Sequence, residues 1–230
     1  MREAGSTEQP PRDDAAARLR MVEYQLEARG IRDPLTLDAM RRVPREEFVP
    51  SDLRRRAYED GALGIGGGQT ISQPFIVARM TEALDLREWK ARNPNERPRV
   101  LDVGTGSGYQ AAILATMGAS VTSLEVDAGL SAHASRTLAR LGYDVQCVVS
   151  DGSVGYLPPA PYAAITVAAA APRVPAPLTD QLADDGRLVL PIGPRDHQVL
   201  TLVWRDGDAL RFRDLEPCVF VPLRGEYGYH

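Results

Sequence analysis

Residues 99–108 read Arg-Val-Leu-Asp-Val-Gly-Thr-Gly-Ser-Gly, and this stretch decides the fold class. Residues 100–103 are apolar except for Asp102 and predict a short strand, and residues 109–117 follow with a helical pattern. Three glycines stand between them at alternate positions. Glycine has no Cβ and accepts positive φ, so a turn built from it lets a ligand approach the backbone closely. The stretch therefore predicts a strand, a ligand-binding turn and a helix.

The spacing of these glycines separates two cofactor classes. Dinucleotide folds use Gly-x-Gly-x-x-Gly, which would need a glycine where this chain has Tyr109. A hydride-transferring dinucleotide enzyme is disfavoured for that reason. Gly-x-Gly-x-Gly behind the acidic strand end at Asp102 instead resembles the loop of S-adenosylmethionine (SAM) methyltransferases, whose cofactor has no phosphate. Taken alone, the glycines also fit a plain strand-to-helix turn.

Acidic residues at three predicted strand ends strengthen the cofactor interpretation. Residues 120–126 predict a second strand that carries Glu125, a position suited to binding ribose hydroxyls. Residues 145–149 predict a third strand, and Asp151-Gly152 behind it can read the edge of an adenine. Carboxyl ends of parallel strands meet in one crevice, so these acids and Asp102 together predict a nucleoside pocket. Each acid alone also fits a cap or a solvated side chain.

The order of predicted elements gives the architecture. Strands and helices alternate from residue 99, which predicts an α/β fold with a doubly wound, mostly parallel sheet of the class I SAM methyltransferase (Rossmann-like) type. An N-terminal helical segment precedes the sheet and antiparallel strands end it. We expect a disordered tail (1–13), a helical and substrate-lid segment (14–98) and a SAM-binding core with C-terminal strands (99–230).

Sequence patterns also predict the elements that surround the first three strands. The first half should hold helices over 15–29, 34–42 and 51–58, a helix from Pro74, a glycine-rich loop over 61–69 and a polar linker over 89–98. Beyond the first three strands, the pattern predicts a helix over 177–183 and strands over 162–168, 187–192, 198–205, 209–215 and 218–223.

Composition excludes several function classes. The 230 residues carry a net charge of −4, which argues against a broad phosphate-binding surface and hence against nucleic acid as a partner. No apolar run reaches the roughly 20 residues of a membrane span, and the start of the chain has no signal-peptide pattern. Two cysteines and three scattered histidines make no metal-site spacing. We expect a cytoplasmic protein with no metal and no membrane partner.

The residues after the fourth predicted strand indicate the type of acceptor. Enzymes that methylate nucleobase amino groups tend to carry an Asn/Asp-Pro-Pro-aromatic loop there, whereas residues 166–172 read Thr-Val-Ala-Ala-Ala-Ala-Pro. These side chains offer neither a base nor a stacking ring. They fit an acceptor that is already a nucleophile at pH 7, such as a carboxylate with a pKa near 4. The alanines also fit a tightly packed turn.

A second glycine-rich stretch ends in a hydroxyl group. Gly64, Gly66, Gly67 and Gly68 precede Thr-Ile-Ser-Gln-Pro at 70–74, so Ser72 stands two residues before a helix-opening proline. A serine in that position is typical of a helix cap. The four glycines exceed what a cap needs and predict a mobile lid over a bound substrate.

The chain resembles the protein-L-isoaspartate (D-aspartate) O-methyltransferases. Thr-Ile-Ser-Gln-Pro at 70–74 is highly specific to that family, whereas the glycine loop is not. The matching runs occur in order between about residues 20 and 224: 43–49, Ile65 with 68–74, 77–80, 101–109, Asp151-Gly152, 169–172, Leu182 with 186–191, and 220–223.

The resemblance implies an activity. Family members transfer a methyl group from SAM to the α-carboxylate of L-isoaspartyl and D-aspartyl residues in damaged proteins and release S-adenosyl-L-homocysteine. The ester then closes to a succinimide, whose hydrolysis returns some normal aspartate. The implied partners are peptides and proteins that contain isoaspartate, and we expect a monomer.

The resemblance also implies the site residues. Ser72 corresponds to the active-site serine, and we hypothesise that it orients the carboxylate rather than acting as a base. Binding of the cofactor is implied for Thr70, Ile71, Asp102, Gly104, Thr105, Gly106, Glu125, Asp151 and Gly152. Binding of the substrate is implied for Ser72, Gln73, Ala169, Ala170, Val221 and Leu223.

Two alternatives stay open at this point. Some relatives methylate aspartates of a dedicated ribosomal precursor peptide in a natural-product pathway, and the ending Arg-Gly-Glu-Tyr-Gly-Tyr-His at 224–230 leaves the acceptor open. A catalytically idle SAM-binding module is the other alternative. The intact Thr-Ile-Ser-Gln-Pro run, glycine loop and acids argue against it.

Overall fold

The computed structural model describes residues 13–229 of the chain. The predicted tail therefore lies outside the described residues except for Asp13. That residue accepts a hydrogen bond from the backbone N–H of Ala16 at 2.9 Å and caps the first helix, α1 (Asp14–Met21).

The N-terminal helices follow the predicted boundaries closely. α1 continues through a π-helical turn (Val22–Leu26) and a 3₁₀ turn to Arg29, and it ends at Gly30 with φ of +97°. α2 (Pro34–Arg42) begins behind the capping carboxylate of Asp33. The helix predicted over 51–58 was wrong in extent, because only a 3₁₀ turn over Arg54–Arg56 forms there.

The segment between Ala57 and Pro74 differs from the predicted loop. It contains an antiparallel hairpin of β1 (Leu63–Gly66) and β2 (Gln69–Ile71). The three glycines at 66–68 all have positive φ and form its tip, so the glycines make a hairpin turn and not an open loop. α3 (Pro74–Ala83) follows. α4 (Leu86–Arg92) covers the first part of the predicted polar linker.

A seven-stranded sheet forms the centre of the molecule, in the order β5-β4-β3-β6-β7-β8-β9. Pairs from β5 to β7 are parallel and the last two are antiparallel, which confirms the predicted fold class. The elements are β3 (Arg99–Val103), α5 (Tyr109–Thr116), β4 (Ser120–Glu125), α6 (Ala128–Arg140), β5 (Val145–Val149), β6 (Tyr162–Val167), α7 (Ala176–Asp180), β7 (Leu182–Ile192), β8 (Gln198–Asp206) and β9 (Ala209–Cys218).

The strand predicted over 218–223 was wrong. β9 ends at Cys218, and the chain then leaves the sheet and crosses the carboxyl end of β6. There Ala170 N–H donates to Val221 O at 2.8 Å, and Leu223 N–H donates to Ala170 O at 2.7 Å. Val221 and Leu223 are therefore paired with the loop after β6, although residues 219–223 are as apolar as those of a strand.

Alternate residues of the strands pack into two apolar layers. Val100 contributes to a core shared with α1–α3, α5 and α6, whereas Leu101 packs on the opposite face with α7 residues such as Leu178. Helices thus cover both faces. The chain reverses its direction of sheet growth between β3 and β6, and ligands of open α/β sheets bind at such a switch point.

Candidate active site

A cavity opens at the carboxyl ends of β3, β4 and β6, beneath the β1–β2 hairpin. We call it the glycine-loop cavity. It brings together most of the predicted site residues, although they come from distant parts of the chain: Thr70, Ile71, Ser72, Gly104, Thr105, Gly106, Glu125, Gly152, Ala169, Val221 and Leu223. Asp102, Asp151, Gln73 and Ala170 lie around it but do not form its wall.

The glycine loop is held against β4 by its own backbone. Gly104 N–H and Thr105 N–H both donate to Leu124 O, at 2.8 and 3.0 Å. Gly104 has φ of +90° and Gly106 of +51°, a region that disfavours any residue with a Cβ. This explains why the sequence carries glycine at these two positions.

Glu125 joins the end of β4 to the glycine loop. One carboxylate oxygen accepts from Gly106 N–H at 2.9 Å and the other from Asp127 N–H at 3.1 Å. Each carboxylate oxygen has further lone pairs, so Glu125 can still accept from a ligand hydroxyl on the cavity side. Its role as the ribose acceptor stays a prediction.

Asp102 lies fully buried beneath the glycine loop. The Ser123 hydroxyl donates to its Oδ2 at 2.7 Å, and Oδ1 has no hydrogen-bond partner among the described residues. Burial raises the pKa of Asp102 to about 7; the bond from Ser123 opposes that rise and the charge of Glu125 adds to it. The Ser123 hydroxyl also lies 2.6 Å from that of Thr105, so Ser123 links the carboxyl group to the glycine loop, and that carboxyl group titrates near neutrality.

The raised pKa predicts a pH dependence of stability. Between the unfolded pKa of 3.8 and the folded pKa of about 7, the native state binds the proton more tightly than the unfolded chain. Asp102 thus stabilises the fold below pH 4, and this stabilisation is lost as pH rises to 7, with a slope of at most about 1.4 kcal/mol per pH unit. Asp102→Asn should remove that slope, measured as urea unfolding free energies from pH 5 to 8; parallel curves for the two proteins would contradict it.

Asp151 holds the C-terminal segment in place. Its Oδ1 accepts from the backbone N–H and hydroxyl of Ser153, at 2.8 and 2.7 Å, and its Oδ2 accepts from Glu226 N–H at 2.8 Å. Gly152, not Asp151, reaches the cavity wall, and a Cβ on Gly152 would overlap the Val103 side chain. A role of Asp151 at the adenine stays a prediction.

Ser72 lies at the junction of two concavities. Together with Thr70, Ala168 and Val221 it lines both the glycine-loop cavity and a second groove, which we call the Phe220 groove; its other walls are Asp60, Gly61, Ala62, Gln73, Ile76, Pro217, Cys218, Val219 and Phe220. The N-cap of α3 is Gln73, and no side chain caps that helix, so Ser72 is not the cap that its spacing allowed.

The remaining predicted substrate residues have distinct placements. Gln73 lines the Phe220 groove, and its side-chain amide donates to Asp60 Oδ1 at 2.7 Å. Ala169 forms part of the glycine-loop cavity wall, whereas Ala170 is buried and pairs through its backbone with Val221 and Leu223. Ala170 therefore positions the two C-terminal residues that do reach the cavity.

Sequence reasoning missed several cavity residues. Tyr109 and Gln110 in the first turn of α5, and Leu130 in the first turn of α6, line the cavity because those turns face it. Their places directly after predicted strand ends are a signal that could have found them. Arg224 has no such signal, since only the path of the C-terminal segment brings it there.

Residues 13–229 contain no cluster of three or more His, Cys, Asp or Glu side chains able to hold a metal ion. In the same part of the chain, no helix combines the length and the apolar character needed to cross a bilayer.

Comparisons with known proteins agree on one family. Residues 17–228 match the protein-L-isoaspartate(D-aspartate) O-methyltransferase (PCMT) family. Relatives named protein-L-isoaspartate O-methyltransferase include one from Methylorubrum populi, 53% identical with 90% of this chain and 95% of the relative covered. Another, from Methanoculleus marisnigri, is 51% identical, with 91% and 92% covered.

Solved structures agree with the fold. A protein-L-isoaspartate O-methyltransferase structure superposes with a TM-score of 0.79 at 28% identity, over 92% of this chain and 67% of that one. The Plasmodium falciparum PCMT structure, in complex with S-adenosyl-L-homocysteine, has a TM-score of 0.75 at 24% identity, over 90% and 98%. With the family match over most of the chain, the protein belongs to the protein-L-isoaspartate (D-aspartate) O-methyltransferase family.

Proposed function

We propose that Ser72 orients the acceptor carboxylate where the glycine-loop cavity meets the Phe220 groove. The protein is a SAM-dependent methyltransferase that methylates the α-carboxylate of L-isoaspartyl and D-aspartyl residues in damaged proteins, which starts their repair through a succinimide. The observation that carries the residue assignment is the position of Ser72 in the walls of both concavities.

The residues of the glycine-loop cavity fit SAM. The positive φ of Gly104 and Gly106 leaves a backbone cradle free of Cβ atoms, and Glu125 presents a fixed carboxylate at its edge. Leu124, Leu130 and Val126 add apolar walls suited to an adenosine. When bound, SAM supplies an electrophilic methyl group. We assign Thr70, Ile71, Thr105 and Gly152 to the same cavity, with Asp102 and Asp151 acting from behind its wall.

The acceptor side needs no general base. Ala168, which lines both concavities as Ser72 does, and Ala169, which lines the glycine-loop cavity, carry no group that could act as a base. An isoaspartyl carboxylate is already ionised near pH 7. The protein therefore has to orient the carboxylate and exclude water from it. The Ser72 hydroxyl donates to one carboxylate oxygen and leaves the other free to attack. Gln73, Val221 and Leu223 shape the passage for the flanking peptide.

The Phe220 groove supplies room for that peptide. Its rim includes Val219, which is 72% exposed, and the partly buried Ile76 and Phe220. Burial of apolar surface is non-directional, so such a rim can pack against peptides of different sequence, and this suits an enzyme whose substrates share only a damaged residue.

Oligomeric state and location complete the proposal. Segments of one chain enclose the glycine-loop cavity, so we propose that the protein works as a monomer. Cys147 and Cys218 are both free thiols, which supports a reducing, cytoplasmic location. The net charge of −4 supports peptides rather than nucleic acid or anionic membranes as partners.

The division of the chain into two parts at residues 98 and 99 stays a prediction, although both parts share one apolar core.

The test is methyl transfer from labelled SAM to two peptides that differ only in one residue, isoaspartate or aspartate. We expect base-labile methyl ester on the isoaspartyl peptide and none on the aspartyl peptide. Preference for the aspartyl peptide would instead indicate a dedicated precursor-peptide enzyme. Binding of SAM without ester formation on either peptide would indicate an idle module.

A further inference from the structure

Arg45 is a fully buried charged residue beside the acceptor site. Its side chain is among the largest that are completely shielded from solvent. Burying a guanidinium without an acid partner is costly. Arg45 lines neither the glycine-loop cavity nor the Phe220 groove.

The partners of Arg45 are all neutral. Nε donates to Ala57 O at 2.7 Å and Nη2 donates to Ser72 O at 2.8 Å, while Nη1 has no hydrogen-bond partner among the described residues. The neighbouring carboxylate of Glu46 pairs instead with Arg18, at 3.3 Å. Within the described part of the chain, no acid neutralises Arg45.

The two carbonyls that Arg45 binds mark the ends of one segment. Ala57 precedes the β1–β2 hairpin and Ser72 follows it, so a single guanidinium joins both ends of the stretch that covers the glycine-loop cavity. The planar guanidinium suits this task because its Nε and Nη2 donors hold a fixed relative geometry, which a lysine ammonium does not reproduce.

Arg45 also lies over an aromatic ring on the cofactor side of the site. Its guanidinium carbon lies 5.0 Å from the ring centroid of Tyr109, the first residue of α5 after the glycine run. Tyr109 itself lines the glycine-loop cavity. Arg45 thus contacts the loop that carries Ser72 and the helix that continues the glycine loop.

We propose that Arg45 is a positioning residue that holds the Ser72 backbone in register with the glycine loop, and thereby sets the placement of the acceptor carboxylate. The inference rests on the proposed role of Ser72. Arg45 acts through Ser72 and contacts neither substrate.

The test compares Arg45→Lys, Ser72→Ala and the double variant. Misplacement of reacting groups by about 1 Å costs up to about 100-fold in rate, so R45K should lower kcat about 10- to 100-fold. Its dissociation constant for S-adenosyl-L-homocysteine and its KM for an isoaspartyl peptide should stay within about threefold. Since Arg45 acts through Ser72, R45K should slow the S72A enzyme by less than about threefold.

Controls separate this role from general stability. Arg205→Lys is a matched control, because Arg205 also donates to a backbone carbonyl (Thr179 O, 2.7 Å) and has an unpaired Nε, but lies on β8 away from the cavity. It should leave kcat unchanged. Backbone amides of the β1–β2 hairpin should exchange faster in R45K, with the strands β3, β4 and β6 unaffected.

Two results would overturn the proposal: full activity of R45K, or equal slowing by R45K with and without the Ser72 hydroxyl. In the second case the proposed role of Ser72 would still hold. A normal kcat in the single variant S72A would refute the proposed roles of both Ser72 and Arg45. If R45K does not fold, Arg45→Gln, which places no charge in the core, gives the same comparison.

Discussion

Ser72→Ala is expected to lower kcat for an isoaspartyl peptide about 100-fold while leaving cofactor affinity unchanged. The side chain lines both the glycine-loop cavity and the Phe220 groove, and it does not cap α3. Its loss therefore removes a donor to the carboxylate without disturbing the helix or the glycine loop. The measurement is steady-state methyl transfer together with calorimetric binding of S-adenosyl-L-homocysteine.

Two variants sharpen this result. Ser72→Thr keeps a hydroxyl and should recover part of the lost rate, because orientation of the carboxylate needs only a donor near that place. Ser135→Ala removes an exposed serine on α6 and should behave as wild type. If Ser72→Ala abolished cofactor binding instead of slowing transfer, the orienting role would be wrong.

Glu125→Ala is expected to weaken cofactor binding about 30- to 100-fold, the equivalent of about one hydrogen bond to a charged group. The carboxylate accepts from the backbone N–H groups of Gly106 and Asp127 and faces the cavity. Its removal costs the ligand an acceptor and also leaves the Gly106 N–H without its partner. Both losses act on the cofactor and neither acts on the acceptor.

The dependence of the transfer rate on SAM concentration should distinguish the Glu125 variant from the Ser72 variant. At saturating SAM, Glu125→Ala should keep most of its kcat, whereas the Ser72 variant stays slow at any SAM concentration. Glu88→Ala, on the exposed surface of α4, should leave both constants unchanged. A Glu125 variant with wild-type affinity would show that the carboxylate supports the loop only and does not contact the ligand.

Local sequence patterns correctly predicted those elements whose conformation is set by neighbouring residues. The run at 99–108 predicted strand, turn and helix because a short apolar run and glycines that accept positive φ are properties of neighbouring residues. The same holds for the Asp33 cap of α2 and for the end of the first helix at Gly30. The cofactor class followed from the spacing of the glycines, because Tyr109 stands where a dinucleotide-binding loop would need glycine.

Predictions failed where the outcome depends on contacts distant in sequence. Residues 219–223 are as apolar as a strand, but Val221 and Leu223 pair with Ala170 outside the sheet. The glycines at 66–68 read as an open loop because glycine fits both a loop and a hairpin tip, and only the pairing of β1 with β2 distinguishes them. Asp151 accepts a hydrogen bond from Glu226 N–H, 75 residues away, and no local pattern reports such a pair, while its predicted role at the adenine stays a prediction.

The sequence by itself determined the α/β class and the glycine loop, because turns and strand periodicity are set by near neighbours, and the family resemblance of residues 70–74 predicted Ser72 as the acceptor-side hydroxyl. Only the tertiary structure decided that Ser72 lies between two concavities and that the buried Arg45 holds its backbone across 27 residues. Such contacts follow from how the hairpin and the helices pack on the sheet, and packing depends on the whole chain at once.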